Sequence, residues 1–420
     1  MTGEAKWRNR YTMIVLLLLA LLLCYIDRVL MSLASIEMQK EFGWTDTQKG
    51  LVLSTFFIGY LVTQAIGGIF SNRYGGRNVF LIAVVLWSLF TILTPASAYM
   101  SFSALLVVRF MLGFGEGAAF PSAYNLVHQW MPVEERSRSV GGMSAAAAVG
   151  TVATLLTAGL IIQRYGWPSV FYLFGSMGFL WAVFWLVKVP AMPKPEDDRS
   201  DAGHDAVRPP IPWKTLASHP AVITIYIASI CVGSISFTLA SWLPSYFVDS
   251  FELSLTQAGL YSILPWITVA FATVLGGTYS DKRIAKGDER IRVRKTVTAS
   301  GLSLIILSCI VLVFMPTPSS AVFVICVLFA GQGIAVVGYA PTAAELLPEH
   351  GDVFYGIAAA AGSIGATVIV SATGVLVEMT GSYDGLFLGL AGLCVVTTIV
   401  YLSFGRADPL IKRAVVEPVA

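Results

Sequence analysis

Twelve apolar stretches of about 20 residues or more run along the chain, and they limit its possible folds more than any other feature. A helix needs about 20 apolar residues to cross the hydrocarbon core of a bilayer. Of the 420 residues, 56% are hydrophobic and only 12% are charged, too little charge to cover a soluble protein of this size. Each stretch therefore predicts a membrane-spanning helix. The predicted spans are residues 11–33, 50–71, 77–96, 100–128, 138–162, 167–188, 220–247, 256–279, 293–315, 319–346, 352–377 and 383–404.

The predicted spans fall into two groups of six, separated by one long hydrophilic stretch. Residues 188–219 contain six prolines and ten charged residues, a composition typical of a linker. We therefore expect an N-terminal six-helix half over 1–187, a cytoplasmic linker over 188–219 and a C-terminal six-helix half over 220–420.

Lysine and arginine are distributed unevenly between the two sides that these spans define. The side with both termini carries 22 of the 27 basic residues, whereas the opposite loops carry three, Lys40, Lys49 and Arg164. Cytoplasmic loops of membrane proteins are enriched in lysine and arginine. The distribution therefore predicts that both termini are cytoplasmic.

Short matches between the two halves indicate an internal duplication. Residues 68–73 (Gly-Ile-Phe-Ser-Asn-Arg) follow span two and match residues 277–282 (Gly-Thr-Tyr-Ser-Asp-Lys), which follow span eight. Glu116-Gly117 in span four likewise matches Gln332-Gly333 in span ten. Transporters built from such parallel repeats bind their substrates between the halves, near the middle of the membrane. The duplication therefore predicts a site of this kind.

Several motifs resemble a known family. Residues 68–77, Gly-x-x-x-Asn-Arg-x-Gly-x-Arg, are similar to the loop signature of the major facilitator superfamily, with Asn72 in place of the usual acid and Asp281 keeping the acid in the second half. Residues 25–29 (Tyr-Ile-Asp-Arg-Val), 109–121 and 134–138 look like its anion:cation symporter branch, which includes sialin, the vesicular glutamate transporters, plant phosphate carriers and bacterial sugar-acid carriers. The resemblance implies an all-α membrane protein with 12 transmembrane helices in two six-helix halves related by pseudo-two-fold symmetry.

The same resemblance implies transport of a small anion, although the sequence departs from the branch at positions tied to particular substrates. Leu30 stands where an asparagine is common, and span seven has Gly233, Ser234 and Ser236 where the glutamate carriers have an arginine. Hexuronate, aldonate, sialate, an aromatic acid and phosphate all stay open as substrates.

Four strongly charged residues lie well inside predicted spans: Asp27, Arg28, Arg109 and Glu116. Ionisable residues in a membrane are costly, so each is a functional candidate. An arginine offers a fork of donors that suits a carboxylate, which makes Arg28 and Arg109 candidate substrate-binding residues. The alternatives are an ion pair of Arg28 with Asp27 or another acid, and a structural or gating pair of Arg109 with Asp27 or Glu116.

Asp27 and Glu116 are the candidate proton-coupling residues. Removal from water favours the protonated form of a carboxylate, whereas a nearby arginine favours the charged form. A carboxylate whose surroundings alternate between these states can load and release a proton. A purely structural role is the alternative for both residues.

Weaker candidates are polar or aromatic residues that come in pairs four positions apart and so share a helix face. By analogy with the family these pairs line the cavity, although aromatic residues also form interface belts and small polar residues also pack helices. For four charged residues near the ends of spans, the resemblance implies gating. The candidate substrate-binding pairs are Tyr60 and Gln64, Trp242 and Tyr246, and Ser363 and Thr367; the gating candidates are Arg73, Arg77, Arg136 and Asp281.

The remaining patterns argue against an enzyme. No glycine-rich phosphate loop opens a helix, no His or Cys cluster has metal-ligand spacing, and all five cysteines lie in apolar stretches. We therefore expect no catalytic site, cofactor, metal or nucleic acid. The fold that the resemblance implies has the monomer as its default, and the small amount of extramembrane sequence favours a bacterial inner membrane. The function that we expect first is proton-coupled symport of an organic anion by alternating access. Sodium-coupled transport or anion exchange is the alternative, and a passive anion channel is a distant alternative.

Overall fold

The computed structural model describes residues 3–190 and 211–410, and its regular structure is α-helical throughout these ranges. Seven helices make up the first half and eight the second, with a short helix, α8 (Trp213–Ser218), before the second. The helices of the first half are α1 (Gly3–Phe42), α2 (Asp46–Tyr74), α3 (Gly76–Met100), α4 (Phe102–Gly117), α5 (Ala119–Trp130), α6 (Val133–Tyr165) and α7 (Trp167–Lys188). Those of the second half are α9 (Pro220–Phe251), α10 (Leu255–Tyr261), α11 (Ile263–Ala285), α12 (Arg290–Leu312), α13 (Pro318–Tyr339), α14 (Thr342–Leu346), α15 (Gly351–Thr380) and α16 (Asp384–Phe404).

Each predicted span corresponds to one helix or to two consecutive helices. Spans four, eight and ten are the pairs α4–α5, α10–α11 and α13–α14. Within the described ranges, eleven segments are long and apolar enough to cross a membrane, and α2, bent by 47° between Gln64 and Ile66, gives the twelfth. The predicted spans are confirmed with shifts of a few residues at most ends. Among the described helices α1 is the longest, with 40 residues from Gly3 to Phe42.

The stretch predicted as a linker, 188–219, is described only in part. Residues 191–210 lie outside the described residues, and α8 occupies most of the remainder, residues 211–219. Leu216 of α8 is buried, so this end of the stretch packs against the second half rather than running free.

Successive spans cross in opposite directions, which gives the molecule two sides. We call the side at which α1 begins and α16 ends the termini side, and the opposite one the far side. On the far side, the second span of each half begins with the same capping box. Thr45 and Gln48 cap α2, and Ser254 and Gln257 cap α10 in the same way. Thr45 and Ser254 are separated by the same number of residues as the matching segments 68–73 and 277–282. The predicted duplication therefore extends to the local structure of these helix starts.

Glycines hold α4 close to its neighbours and so determine where its charged residues lie. A Cβ added at Gly113 would lie 2.0 Å from the carbonyl oxygen of Phe56 on α2, and one added at Gly117 would lie 2.2 Å from Thr63 Oγ1. A Cβ at Gly115 would lie 2.9 Å from the Trp87 nitrogen on α3. Small residues permit such close helix approach in membranes. Glu116 is therefore enclosed between α2 and α3.

The two halves contact each other along a seam at the far side. A Cβ at Gly374 on α15 would lie 2.3 Å from the carbonyl oxygen of Asp46 on α2, and one at Gly259 on α10 would lie 2.4 Å from that of Leu155 on α6. The Thr47 backbone N–H also donates to Glu378 Oε2 across this seam, at 2.9 Å. On the termini side, α5 packs on α1, α2, α3 and α6 of its own half, and α14 packs on α9, α13 and α15.

Candidate functional site

A buried salt bridge between α1 and α4 lies at the centre of the candidate site. Arg28 Nη2 is 3.0 Å from Glu116 Oε2, and Arg28 Nε donates to the same oxygen at 3.3 Å. The side chains are 6% and 0% exposed. Arg28 therefore has a carboxylate partner in this conformation, and the partner is Glu116 rather than the neighbouring Asp27.

Aromatic rings surround the Arg28 guanidinium. Its Cζ lies 4.7 Å from the ring centroid of Tyr25 and 4.6 Å from that of Tyr60. Phe56 on α2 lies at 5.5 Å, and Phe237 on α9 contributes a ring from the second half at 6.0 Å. Contacts of a guanidinium with ring faces are favourable, more so away from water. Because α9 supplies one of the rings, Arg28 lies between the two halves.

Glu116 makes its contacts through one oxygen. Besides Arg28, the Cys24 thiol donates to Oε2 with Sγ at 3.3 Å. The other oxygen, Oε1, is buried and accepts no hydrogen bond from the residues that the structure describes. An unsatisfied polar atom in the interior is costly, so Oε1 retains the capacity to interact with a further group.

Arg109 shares a helix face with Glu116 but does not pair with it in this conformation. Its Nε donates to the carbonyl oxygen of Val52 at 3.4 Å, and its Cζ lies 5.2 Å from the Phe56 ring. Arg109 is 2% exposed, and its Nη1 has no hydrogen-bond partner within 3–190 and 211–410. One guanidinium nitrogen is therefore available to a ligand that reaches it.

Asp27 is the second buried carboxylate. It is 2% exposed, and neither of its oxygens accepts a hydrogen bond of good geometry from the described part of the chain. The charged side chains that act on it electrostatically are Glu116 and Arg109. The four charged residues found from the sequence therefore form one group. In this conformation Arg28 and Glu116 form an ion pair, whereas Asp27 and Arg109 are not in contact.

The predicted polar candidates meet next to this group. Tyr60 packs on Arg28, and one turn further along α2 Gln64 Oε1 accepts a hydrogen bond from Ser363 Oγ of α15 at 3.1 Å. Thr367 lies one turn from Ser363 and donates to its carbonyl oxygen at 2.9 Å. Gln332, the repeat counterpart of Glu116, donates to Ser236 Oγ at 2.6 Å. Polar groups from both halves thus lie in the middle of the molecule.

The structure does not bring Trp242 and Tyr246 together with Arg28. Trp242 is 1% exposed and donates to the carbonyl oxygen of Val370 at 3.1 Å. Tyr246 packs in an aromatic cluster, with ring centroids 5.5 Å from Tyr383 and 5.2 Å from Phe387. Both side chains therefore belong to the far-side part of α9, and their role in substrate binding stays a prediction.

The gating candidates lie on the termini side, as the sequence predicts. Arg77 Nε donates to the carbonyl oxygen of Val189 at 2.8 Å, and Arg136 Nη2 donates to that of His128 at 2.9 Å. These arginines thus satisfy carbonyl groups at the ends of α7 and α5. Arg73 stacks on Tyr74 at 5.5 Å, and Asp281 is exposed. A role in gating stays a prediction for all four.

Lys49, which the sequence places in a loop, is buried in a helix, and so is Arg294, at the start of predicted span nine. Lys49 lies in the first turn of α2 and is 0% exposed, because the capping box at Thr45 starts the helix before the apolar stretch begins. Arg294 lies in α12, where its Nη2 is 2.8 Å from Glu345 Oε1. The sequence reasoning also missed Cys24 and Tyr25 as site residues, although both lie about one turn before Arg28.

Comparisons with known proteins agree with this architecture. The sequence model of the Major Facilitator Superfamily matches residues 16–354. The probable anion transporter 4, chloroplastic, of Oryza sativa subsp. japonica is 34% identical over 97% of this chain and 70% of its own length. Two Arabidopsis thaliana proteins, the ascorbate transporter, chloroplastic, and the sodium-dependent phosphate transport protein 1, chloroplastic, are each 33% identical over 97% of this chain and over 76% and 81% of their lengths.

A solved structure shares the fold. A bacterial homologue of the human lysosomal transporter Spinster, in an inward-facing and occupied conformation, superposes with a TM-score of 0.78 at 17% identity over 95% of this chain and 97% of that one. The family resemblance read from the motifs and the fold that it implied are confirmed. The fold and the relatives are those of membrane transporters rather than enzymes. The chain therefore belongs to the Major Facilitator Superfamily, on the branch that holds these plant anion transporters.

Proposed function

We propose that the protein is a secondary active transporter that carries a small organic anion together with protons, by alternating access between its two halves. The observation that carries this proposal is the buried Arg28–Glu116 salt bridge of the first half, which the Phe237 ring of the second half also contacts, with Glu116 Oε1 left unsatisfied.

The salt bridge gives a direct way to couple anion and proton. An anion that binds Arg28 through its fork of donors competes with Glu116 for the same nitrogens. When Glu116 takes up a proton, its attraction for the guanidinium falls and Arg28 is released to the anion. When the anion leaves, Arg28 and the carboxylate can pair again after the proton has gone. Anion and proton are therefore favoured on the protein together.

Asp27 and Arg109 are a second buried carboxylate and a second buried guanidinium, and they do not contact each other in this conformation. One guanidinium nitrogen of Arg109 and both carboxylate oxygens of Asp27 have no hydrogen-bond partner among the described residues. The charge of Arg109 also acts electrostatically on Asp27. We assign to Asp27 a second proton-carrying role and to Arg109 a contact with the bound anion. On this assignment, both proposed coupling residues belong to one group of buried charges next to the proposed substrate site.

The polar residues around the charges favour an anion with hydroxyl groups. Tyr60, Gln64, Ser363 and Thr367 offer hydrogen-bonding side chains from both halves. One relative is named an ascorbate transporter, and ascorbate is a small organic anion rich in hydroxyl groups. A sugar acid or another small organic anion with hydroxyl groups is therefore the substrate class that we propose.

The distribution of basic residues supports an orientation with both termini in the cytoplasm. In that orientation the far-side seam closes the external entrance, and the described conformation is closed to the outside. The named relatives are chloroplastic, and the bacterial inner membrane stays a prediction for this chain.

A second function is favoured by one specific observation, the relative named a sodium-dependent phosphate transport protein. In that case Asp27 and Glu116 bind sodium in place of protons. The deciding experiment is uptake into liposomes containing the purified protein, with labelled ascorbate, D-glucuronate, D-gluconate and inorganic phosphate, under an inward pH gradient or an inward sodium gradient.

Accumulation of an organic acid that requires the pH gradient supports proton symport. Accumulation of phosphate that follows sodium instead supports the second function. Uptake that neither saturates nor shows counterflow contradicts both, because those properties distinguish a carrier from a channel.

A further inference from the structure

Lys49 is a buried cation to which the transport mechanism above assigns no role. It lies in the first turn of α2, is 0% exposed and is among the largest fully buried side chains of the described residues. Its Nζ has no hydrogen-bond partner in the described ranges. A buried ammonium without an anion is costly, and such residues in membrane proteins usually mark a pathway or a binding site.

The surroundings of Lys49 compensate its charge only in part. Nζ lies 5.1 Å from the ring centroid of Trp242, which provides a cation–π contact. Asp249 and Asp46 are the carboxylates that act on it electrostatically, and neither forms a salt bridge with it. Tyr383 Oη donates to Asp249 Oδ2 at 2.7 Å, so that this carboxylate already has a neutral partner.

Asp46 also has a neutral partner, because Gln39 Nε2 donates a hydrogen bond to its Oδ1 at 2.8 Å. Lys40 is the one further charged side chain that acts on Lys49. Among the described residues, the ammonium therefore faces an aromatic ring and two carboxylates that are engaged elsewhere.

Lys49 lies where the two halves separate in alternating access. The next residue, Gly50, is packed so closely on α15 that an added Cβ would lie 3.1 Å from the carbonyl oxygen of Ser371. Trp242, which covers the ammonium, belongs to α9 of the second half, whereas Lys49 belongs to the first. Parting of the halves at the far side therefore removes the Trp242 ring and exposes the ammonium at the entrance.

Lys49 is also the first of three cations arranged along one face of α2. Three α2 residues spaced by seven and four positions, Lys49, Phe56 and Tyr60, share that face. The Arg109 guanidinium stacks on Phe56 and donates to Val52, and that of Arg28 stacks on Phe56 and Tyr60. From Lys49 to Phe56 the helix rises about 10 Å, so the cations follow one another from the entrance to the site.

We propose that Lys49 is the entry residue for the anion on the far side. It binds the negatively charged group of the substrate when the halves part, and closure of Trp242 over it transfers the anion to Arg109 and Arg28. This inference rests on the proposed function, because it requires an anion and a far side that opens.

The test is a comparison of uptake kinetics in right-side-out membrane vesicles, with labelled ascorbate, D-glucuronate and inorganic phosphate as probes. Replacing Lys49 with glutamine removes one charged contact, so we expect KM to rise about tenfold while kcat stays within about twofold. Lys49→Arg is expected to keep the wild-type KM within about threefold. Arg164→Gln, at an exposed far-side arginine, is the matched control and is expected to leave both constants unchanged.

An unchanged KM for Lys49→Gln overturns the proposal. A lower kcat with an unchanged KM also overturns it, since a residue that only stabilises the closed seam changes the rate of opening and not the affinity for the anion. A wild-type protein that carries none of the three anions counts against the proposed function itself, and is thereby distinguished from a failure of the entry residue alone.

A second variant covers the case in which Lys49→Gln fails to fold. Lys49→Cys is treated from outside with a thiol reagent that attaches an aminoethyl group, or with one that attaches a sulfonatoethyl group. We expect the first to restore a low KM and the second not to, with reagent-treated wild type as the control because four of its five cysteines are buried. Equal effects of the two reagents contradict a role for the positive charge.

Discussion

Arg28 on α1 and Glu116 on α4 are joined by two hydrogen bonds that end on a single carboxylate oxygen, Oε2, at 3.0 and 3.3 Å. The pair is removed from water and lies where a ring of the second half, Phe237, also contacts the guanidinium. Removing one partner of a buried ion pair leaves an uncompensated charge. When the pair separates, a bound anion compensates the charge of Arg28 and a bound proton neutralises Glu116. This joint compensation is the physical basis of the proposed coupling.

Replacing Arg28 with lysine tests the need for a forked donor. A lysine keeps the charge but cannot bind a carboxylate bidentately or stack on Tyr25 and Tyr60 as a planar group. We expect the KM for anion counterflow to rise about tenfold or more, because a charged hydrogen bond contributes about 1.5–3 kcal/mol. Arg164→Lys, an exposed far-side arginine, is the control and is expected to behave as wild type. A wild-type KM for Arg28→Lys contradicts bidentate binding.

Cross-linking the far-side seam tests alternating access. Thr47 and Glu378 belong to different halves, and the Thr47 N–H donates to the Glu378 carboxylate at 2.9 Å. The double variant Thr47→Cys with Glu378→Cys, joined by a short bifunctional thiol reagent with a reducible link, is expected to lose transport and to regain it on reduction. The two single variants treated in the same way are the controls. Full transport by the cross-linked protein is incompatible with opening at this seam.

Replacing Gly59 with alanine tests the packing that positions α4. A Cβ there would lie 2.0 Å from the carbonyl oxygen of Phe110, so α2 and α4 must move apart. Overpacking of this kind costs about 1–3 kcal/mol, and the thermal unfolding temperature in detergent is expected to fall accordingly. Gly68→Ala on the same helix meets nothing within 4 Å and serves as the control. Equal unfolding temperatures for the two variants rule out close packing as the constraint at Gly59.

The spans and the buried charges could be predicted from the sequence for one physical reason. Lipid requires long apolar helices, so both the helices and the rare charges within them are conspicuous in the chain. The partner of Arg28 could not be predicted, because Glu116 is 88 residues away and their contact depends on how α1 packs against α4. The sequence left Asp27, Arg109 and Glu116 open as alternatives in the ion pairs, and only the helix packing distinguishes among them.

Lys49 and Trp242 show two other features that the sequence alone does not predict. The sequence predicts a loop at Lys49 because the apolar stretch begins after it, whereas the cap formed by Thr45 and Gln48 starts the helix earlier. Trp242 and Tyr246 share a helix face as their spacing predicts, but spacing does not show which neighbour that face meets. In the structure it meets Lys49, Tyr383 and Phe387 at the far side.

The central claim is that Glu116 carries a coupling proton, and the most direct measurement compares two modes of transport by Glu116→Gln in liposomes. Glutamine resembles a permanently protonated Glu116, so Arg28 stays available to the anion while no proton can be released. We predict that accumulation driven by a pH gradient is lost and that anion counterflow persists near the wild-type rate, with Glu37→Gln on the exposed far side as an unaffected control. Undiminished pH-driven accumulation by Glu116→Gln would contradict the account and remove this residue from the coupling mechanism.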